Sequence, residues 1–299
     1  MQGRNRVNLK FSKYEGAGND ILIFDFLPGD LGMSPSKLAQ FIRRIAHRNF
    51  GVGADEIAFL RPAKLGEAAA VVTFYNADGS RAEMCGNGLR CIARHLFEQG
   101  KTGGRRSFSL GTDAGWKKCS VVTSRSGEVL RVRVDMGKIR RLDGSEGNPQ
   151  SARLKIDGKN LRAVTASMGN PHAVFFGKFG LEAMRRIGTK LQRHRAFPEG
   201  VNAGFAFVRS RRSIDLIVWE RGCGFTMACG SGACAAAAAA VSKGRCDFDR
   251  PIEVRLPGGA LQVLVRREDL GIFMTGPARR VFTGTFEITS ARTAVGPRG

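Results

Sequence analysis

Glu83-Met84-Cys85-Gly86-Asn87-Gly88 precedes an apolar series, Leu89, Ile92, Ala93, Leu96 and Phe97, whose spacing predicts a helix closed by Gly100. The pattern returns in the second half of the chain as Ala228-Cys229-Gly230-Ser231-Gly232, followed by Ala233-Cys234 and an alanine run from Ala235 to Ala240. Each copy ends a β-rich stretch and opens a helix. Further landmarks repeat in the same order. Gly16-Ala17-Gly18-Asn19-Asp20 precedes Ile21–Phe24, and Met168-Gly169-Asn170-Pro171-His172 precedes Ala173–Phe176. Gly51-Val52-Gly53-Ala54 is matched by Gly200-Val201-Asn202-Ala203. Such ordered recurrence predicts a duplicated α/β domain whose two copies face each other across a pseudo-two-fold axis.

Local signals fill in the copies. Val7 to Phe26 reads as strand, glycine turn, strand. Ser34-Pro35 predicts a helix start, with Leu38, Phe41, Ile42 and Ile45 on one face. Strands are expected at Glu56–Leu60 and Ala69–Tyr75, and a helix over Leu181–Leu191. Asp135-Met136-Gly137 and the polar stretch from Arg140 to Ser151 read as a linker, giving lobes of residues 1–136 and 137–277. The stretch 289–299, poor in large apolar residues, is expected to fray.

Composition bounds the function. The 299 residues are 42% hydrophobic and 25% charged, as in a soluble globular protein. A net charge of +22 invites a nucleic-acid reading, but the arginines are dispersed and only two Tyr and two Trp offer stacking surfaces. The charge is therefore read as a solvated basic surface, or a field drawing in a carboxylate substrate, with no nucleic-acid partner. No apolar run approaches the roughly 20 residues of a membrane helix, so no membrane association is expected. Seven cysteines in no secreted-domain pattern, behind a start without a signal peptide, imply free thiols in the cytoplasm.

The paired motif carries chemistry. Glycines let a ligand approach the backbone, and free N–H groups at a helix start bind an anion such as an α-carboxylate. The same dipole is expected to lower a thiol pKa from about 8.5 toward neutrality. Two thiols on opposite faces of one carbon, one ionised and one protonated, would invert it, while the N–H groups steady the carbanion. A zinc or redox centre is disfavoured: the sequence has no C-x-x-C and no histidine at ligand spacing near either motif, so no metal is expected. Cys91 and Cys234, inside their helices, are read as packed small hydrophobes.

These motifs, with Asn76-Ala77-Asp78-Gly79-Ser80 and Glu220-Arg221-Gly222, together resemble the diaminopimelate epimerase family over nearly the whole chain. The resemblance implies a mixed α/β (α+β) fold of two pseudo-symmetric lobes. Each lobe is a curled mixed or antiparallel sheet around a central helix, and a strand near 278–288, around Val281–Phe286, returns to the first lobe. It implies interconversion of LL- and meso-diaminopimelate for lysine and peptidoglycan synthesis, no cofactor, and a homodimer. Carried over by motif, Cys85 and Cys229 are the acid/bases. The N–H groups of Gly86, Asn87, Gly230 and Ser231 hold the reacting carboxylate. Asn76, Asn170, Asn202 and Arg221 grip the distal centre, and Asn19, His172 and Glu220 lie near the chemistry. Glu56, at a substrate-contact position, departs from the Gln or Gly of some members. Phe225 replaces an acidic residue common in the family, and Ser231 replaces Thr conservatively. A related thiol racemase acting on proline, hydroxyproline or histidine would keep both cysteines without needing all four distal residues.

Overall fold

The computed structural model describes residues 5–26, 29, 32–63 and 68–290. Of the stretch expected to fray, 291–299 lies outside the described residues. The first half runs β1 (Asn5–Gly16), β2 (Asn19–Phe24), α1 (Pro35–Ala46), β3 (Glu56–Pro62), β4 (Ala68–Asn76), β5 (Arg81–Ala82), α2 (Gly86–Glu98), β6 (Ser107–Thr112), β7 (Gly115–Thr123) and β8 (Val129–Lys138). The second runs β9 (Gln150–Ile156), β10 (Lys159–Ser167), β11 (Pro171–Phe176), α3 (Leu181–Leu191), β12 (Asn202–Ser210), β13 (Ser213–Glu220), β14 (Gly224–Phe225) and α4 (Gly230–Ser242). β15 (Ile252–Leu256), β16 (Gly259–Val265), β17 (Gly271–Gly276) and β18 (Arg279–Ser290) complete it.

The pairings repeat between halves. One half orders β18-β1-β2-β3-β4-β6-β7-β8, with β2–β3 and β4–β6 parallel. The other orders β9-β10-β11-β12-β13-β15-β16-β17, with β11–β12 and β13–β15 parallel. β18 thus takes beside β1 the place that β9 takes beside β10. The halves join where β8 pairs antiparallel with β17, Val134 opposite Met274.

Asp135-Met136-Gly137, read from sequence as the entry to a linker, lies inside β8 at that junction. Gly137 adopts φ 84° beside a register shift, and a bulged strand of this kind carries turn-like residues. The expected linker from Arg140 to Ser151 also gives up its last residues to β9.

Burial follows the helices. α1 has Ser34 as N-cap, accepting from the Lys37 N–H, and Pro35 in its first turn. It buries Leu38, Phe41, Ile42 and Ile45 in a cluster with Leu22, Phe24 and Phe59 on the outside of the first lobe. α3 does the same for the second lobe, through Met184, Ile187 and Leu191 against Phe175 and Phe205. The main core surrounds α2 and α4. Every residue from Ala233 to Val241 is buried, so the alanine helix is enclosed on all sides, as its all-round small side chains require.

Gly188 in α3 shows how tightly an outer helix sits. A Cβ there would lie 2.3 Å from Cγ of Trp219. Gly188→Ala is expected to destabilise the chain by about 1–3 kcal/mol through overpacking. A denaturant melt checks this, and an unchanged midpoint refutes the tight contact.

Candidate active site

Both cysteines take the same structural role. Cys85 is the N-cap of α2 at φ −125°, ψ 120°, and its Sγ accepts from the Gly88 N–H at 3.3 Å. Cys229 is the N-cap of α4 at φ −118°, ψ 104°, and its Sγ accepts from the Gly232 N–H at 3.3 Å. A capping sulfur satisfies one orphan donor and leaves the N–H groups before it for a ligand. Asn87 ties the two helix starts together. Its Nδ2 donates across the lobes to the Ala228 carbonyl at 3.3 Å, next to Cys229.

The helix starts open on one cavity of about 540 Å³, lined by Cys85, Gly86, Asn87, Cys229, Gly230 and Ser231. Asn19, Glu56, Asn76, Asn170, Glu220 and Arg221 complete the sequence-predicted residues that meet there. The cleft continues into a chamber of about 770 Å³ that shares several of these and adds Asn202, Phe225 and Thr226. His172 and Asn202 are set back from the first cavity. Buried His172 meets Asn170 Oδ1 through Nε2 at 2.9 Å. Desolvation, aided by the charge of Arg221, pushes its imidazole down to about 3. His172 is therefore neutral near pH 7 and orients Asn170, whose Nδ2 donates to Ser231 Oγ at 3.4 Å. Asn202 accepts the Arg221 backbone N–H at 2.9 Å and donates to the Pro171 carbonyl at 3.2 Å. Its amide therefore braces the strand end that carries Arg221. Phe225 packs edge-on against Trp219 with ring centroids 4.9 Å apart.

The expectation of helix-lowered thiol pKa values does not hold. Burial raises both Cys85 and Cys229 well above the ordinary thiol value, and neighbouring carboxyls, Glu56 and Glu220 respectively, push in the same direction. The N–H bonds to each sulfur pull the other way but are outweighed, because desolvating a thiolate costs more than they return. Each thiol thus has a carboxyl beside it. Burial pushes Glu56 up to about 7, and Glu220, whose carboxylate accepts from Thr226 Oγ1, is raised as well. Cys91 and Cys234 are fully buried, and desolvation drives both to about 12, which suits packed hydrophobes.

The pairings also expose an exchange between lobes that the motif spacing conceals. Glu56 opens β3 where Asn202 opens β12, and Asn76 closes β4 where Glu220 closes β13. Carboxylate and amide have swapped strands, yet each lobe presents one carboxyl to its own cysteine.

Sequence reading missed Arg90, which is completely buried under the two helix starts. Its Nη1 donates to Asn87 Oδ1 at 2.9 Å and its Nε to the Pro277 carbonyl at 3.0 Å. A polar residue inside an otherwise apolar helical face was the available signal. Met136 and Met274 were missed too. They pack on the Cα of Gly86, where a Cβ would come within 2.9 Å and 2.8 Å of their methyl carbons.

Known proteins resemble the chain in sequence and in fold. The diaminopimelate epimerase family model matches residues 11–142 and 164–281. The diaminopimelate epimerase of Synechococcus elongatus is 38% identical over 295 residues, covering 95% of this chain and 100% of that one. The corresponding enzyme of Nostoc punctiforme is 38% identical, covering 92% and 99%. The chloroplastic enzyme of Oryza sativa subsp. japonica is also 38% identical, covering 93% and 80%. Among solved structures, a hydroxyproline epimerase from Agrobacterium vitis superposes with TM-score 0.70 at 17% identity, covering 95% and 94%. A Bacillus anthracis protein of the PhzF family gives 0.71 at 15% identity, covering 94% and 99%. These two likenesses concern the fold. With the family model spanning both lobes and relatives aligned over nearly their whole lengths, the chain belongs to the diaminopimelate epimerase family.

Proposed function

We infer that this chain is an amino-acid epimerase interconverting LL- and meso-diaminopimelate through two thiols. The observation that supports the two-thiol route most strongly is the entry of Cys85 and Cys229, as matched helix caps, into one cavity. In this reading the substrate α-carboxylate sits between the N–H groups of Gly86, Asn87, Gly230 and Ser231. One sulfur takes the α-proton while the other delivers a proton to the opposite face. The helix starts steady the enolate-like charge in a dry site. Raised thiol pKa values make each thiolate a stronger base toward a weak carbon acid but leave only a small thiolate fraction near pH 7. Asn76, Asn170 and Arg221 are assigned to the distal amino-acid head, with the Arg221 guanidinium suited to a carboxylate. Asn202 and His172 are assigned to bracing them, Asn19 and Glu220 to the reacting end. All seven cysteines of the described chain are free, in keeping with a cytoplasmic location. A homodimer belongs to the same reading, and sedimentation would test it.

Heavy-water turnover tests the reading. Deuterium is expected at the α-carbon of diaminopimelate, because thiol protons exchange with solvent, and not at that of proline or hydroxyproline. Epimerised product without label, or label in proline instead, would overturn it.

A further inference from the structure

Glu56 is the residue in the cleft whose chemistry the two-thiol scheme leaves unused. Its Oε2 is sealed from solvent and has no hydrogen-bond partner. It reaches the first turn of α2 because Gly88 has no side chain: a Cβ at Gly88 would lie 3.3 Å from Oε2. The N–H of the same Gly88 binds Cys85 Sγ, so carboxyl and sulfur converge on one helix turn. Each perturbs the titration of the other.

We propose that Glu56 and Cys85 form a proton-sharing pair, making Glu56 a positioning residue that sets the protonation state of the first-lobe thiol. The inference rests on Cys85 being an acid/base of the epimerase and assigns Glu56 a role beyond holding substrate. With one proton between them, the pair is either thiol plus carboxylate or thiolate plus carboxylic acid. The second form is the base. Its thiolate takes the α-proton and becomes a thiol beside the carboxylic acid, while Cys229 gives its proton to the opposite face and becomes a thiolate. Loss of one proton from the Glu56 pair to solvent, and gain of one by Cys229, restores the starting state.

Other charges around the pair are accounted for. Asp20, Asp55 and Glu220 each raise the Glu56 pKa further, behind burial as the main cause. Cys91 and Cys223 also sense the Glu56 charge, and Arg90 senses that of Cys85. Cys91 remains a neutral thiol near pH 7, with its pKa at about 12. Glu56 itself is brought to about 7, so the pair gives up its first proton within the working range.

The test is the pH dependence of Cys85 alkylation by iodoacetamide, read on the Cys85 peptide alone by mass spectrometry because Cys223 is exposed and reacts too. In the unaltered chain the rate is expected to rise to near pH 7 and then level, since the one-proton pair holds a constant thiolate fraction. In Glu56→Gln the thiol titrates alone, and the rate climbs about tenfold per pH unit through the same range without levelling. Glu56→Ala is expected to give the same single climb. The acid limb of kcat/KM for diaminopimelate should lose its break near 7 in parallel. Identical alkylation curves with and without the carboxyl would overturn the pair. Deuterium wash-in by the unaltered enzyme tests the two-thiol reading separately: it can succeed while the pair fails.

Discussion

Replacing Cys85 with alanine is expected to cut diaminopimelate epimerisation by at least about 10³-fold, and Cys229→Ala to do the same, because the proposed two-thiol route makes each an obligatory proton carrier. Neither thiol can cover for the other. They cap different helices, and each approaches the cavity from its own lobe. Inversion needs a base on one face and an acid on the opposite face, so one remaining sulfur can only remove a proton and return it to the same side. The residual reaction should therefore be slow exchange of solvent deuterium with retained configuration, confined to the isomer whose α-hydrogen faces the surviving thiol. Comparing the two variants would assign each cysteine to its isomer. The N-cap hydrogen bond lost with sulfur costs about 0.5–2 kcal/mol, too little to unfold helices buried this deeply. A variant that epimerises at near-normal rate would remove its cysteine from the mechanism.

Much of this was legible in the chain itself. The repeated Cys-Gly-x-Gly motif gave away the duplication, because each copy sets a capping cysteine and glycines at the start of a central helix. α1 was readable from apolar periodicity, and α3 occupies Leu181–Leu191 as expected. Tertiary effects were not legible. Gly137 looked like a turn because a positive φ asks for glycine in a bulge as much as in a loop. The thiol pKa values went the wrong way because a helix dipole is local and readable, whereas desolvation depends on the entire surround. The strand exchange of Glu56 and Asn76 with Asn202 and Glu220 required the pairing register, which motif spacing only approximates.

Arg90 supplies the other large effect, and two substitutions separate its causes. The guanidinium is buried where Gly16 and Gly276 leave room for it: a Cβ on either would sit 3.0 Å from one of its nitrogens. It holds Asn87 Oδ1 and the Pro277 carbonyl, but Nη2 has no partner. Removing the side chain orphans two oxygen acceptors, at about 1–3 kcal/mol each, frees the weakly accepting Met274 Sδ, and relieves the cost of a desolvated cation. Arg90→Ala adds a large void, so a net loss of about 3–5 kcal/mol is expected from it. Arg90→Met keeps most of the volume, leaving orphaned acceptors offset by the removed charge, and a change within about 2 kcal/mol follows. Activity should not divide this way. Asn87 loses its anchor in both variants, and with it the geometry linking the start of α2 to the Ala228 carbonyl beside Cys229. Both are expected to lose more than about tenfold in kcat/KM, since misplacing groups around the reacting carbon by about 1 Å is costly. A methionine variant that melts normally and turns over normally would show that Asn87 holds the two helix starts together without Arg90.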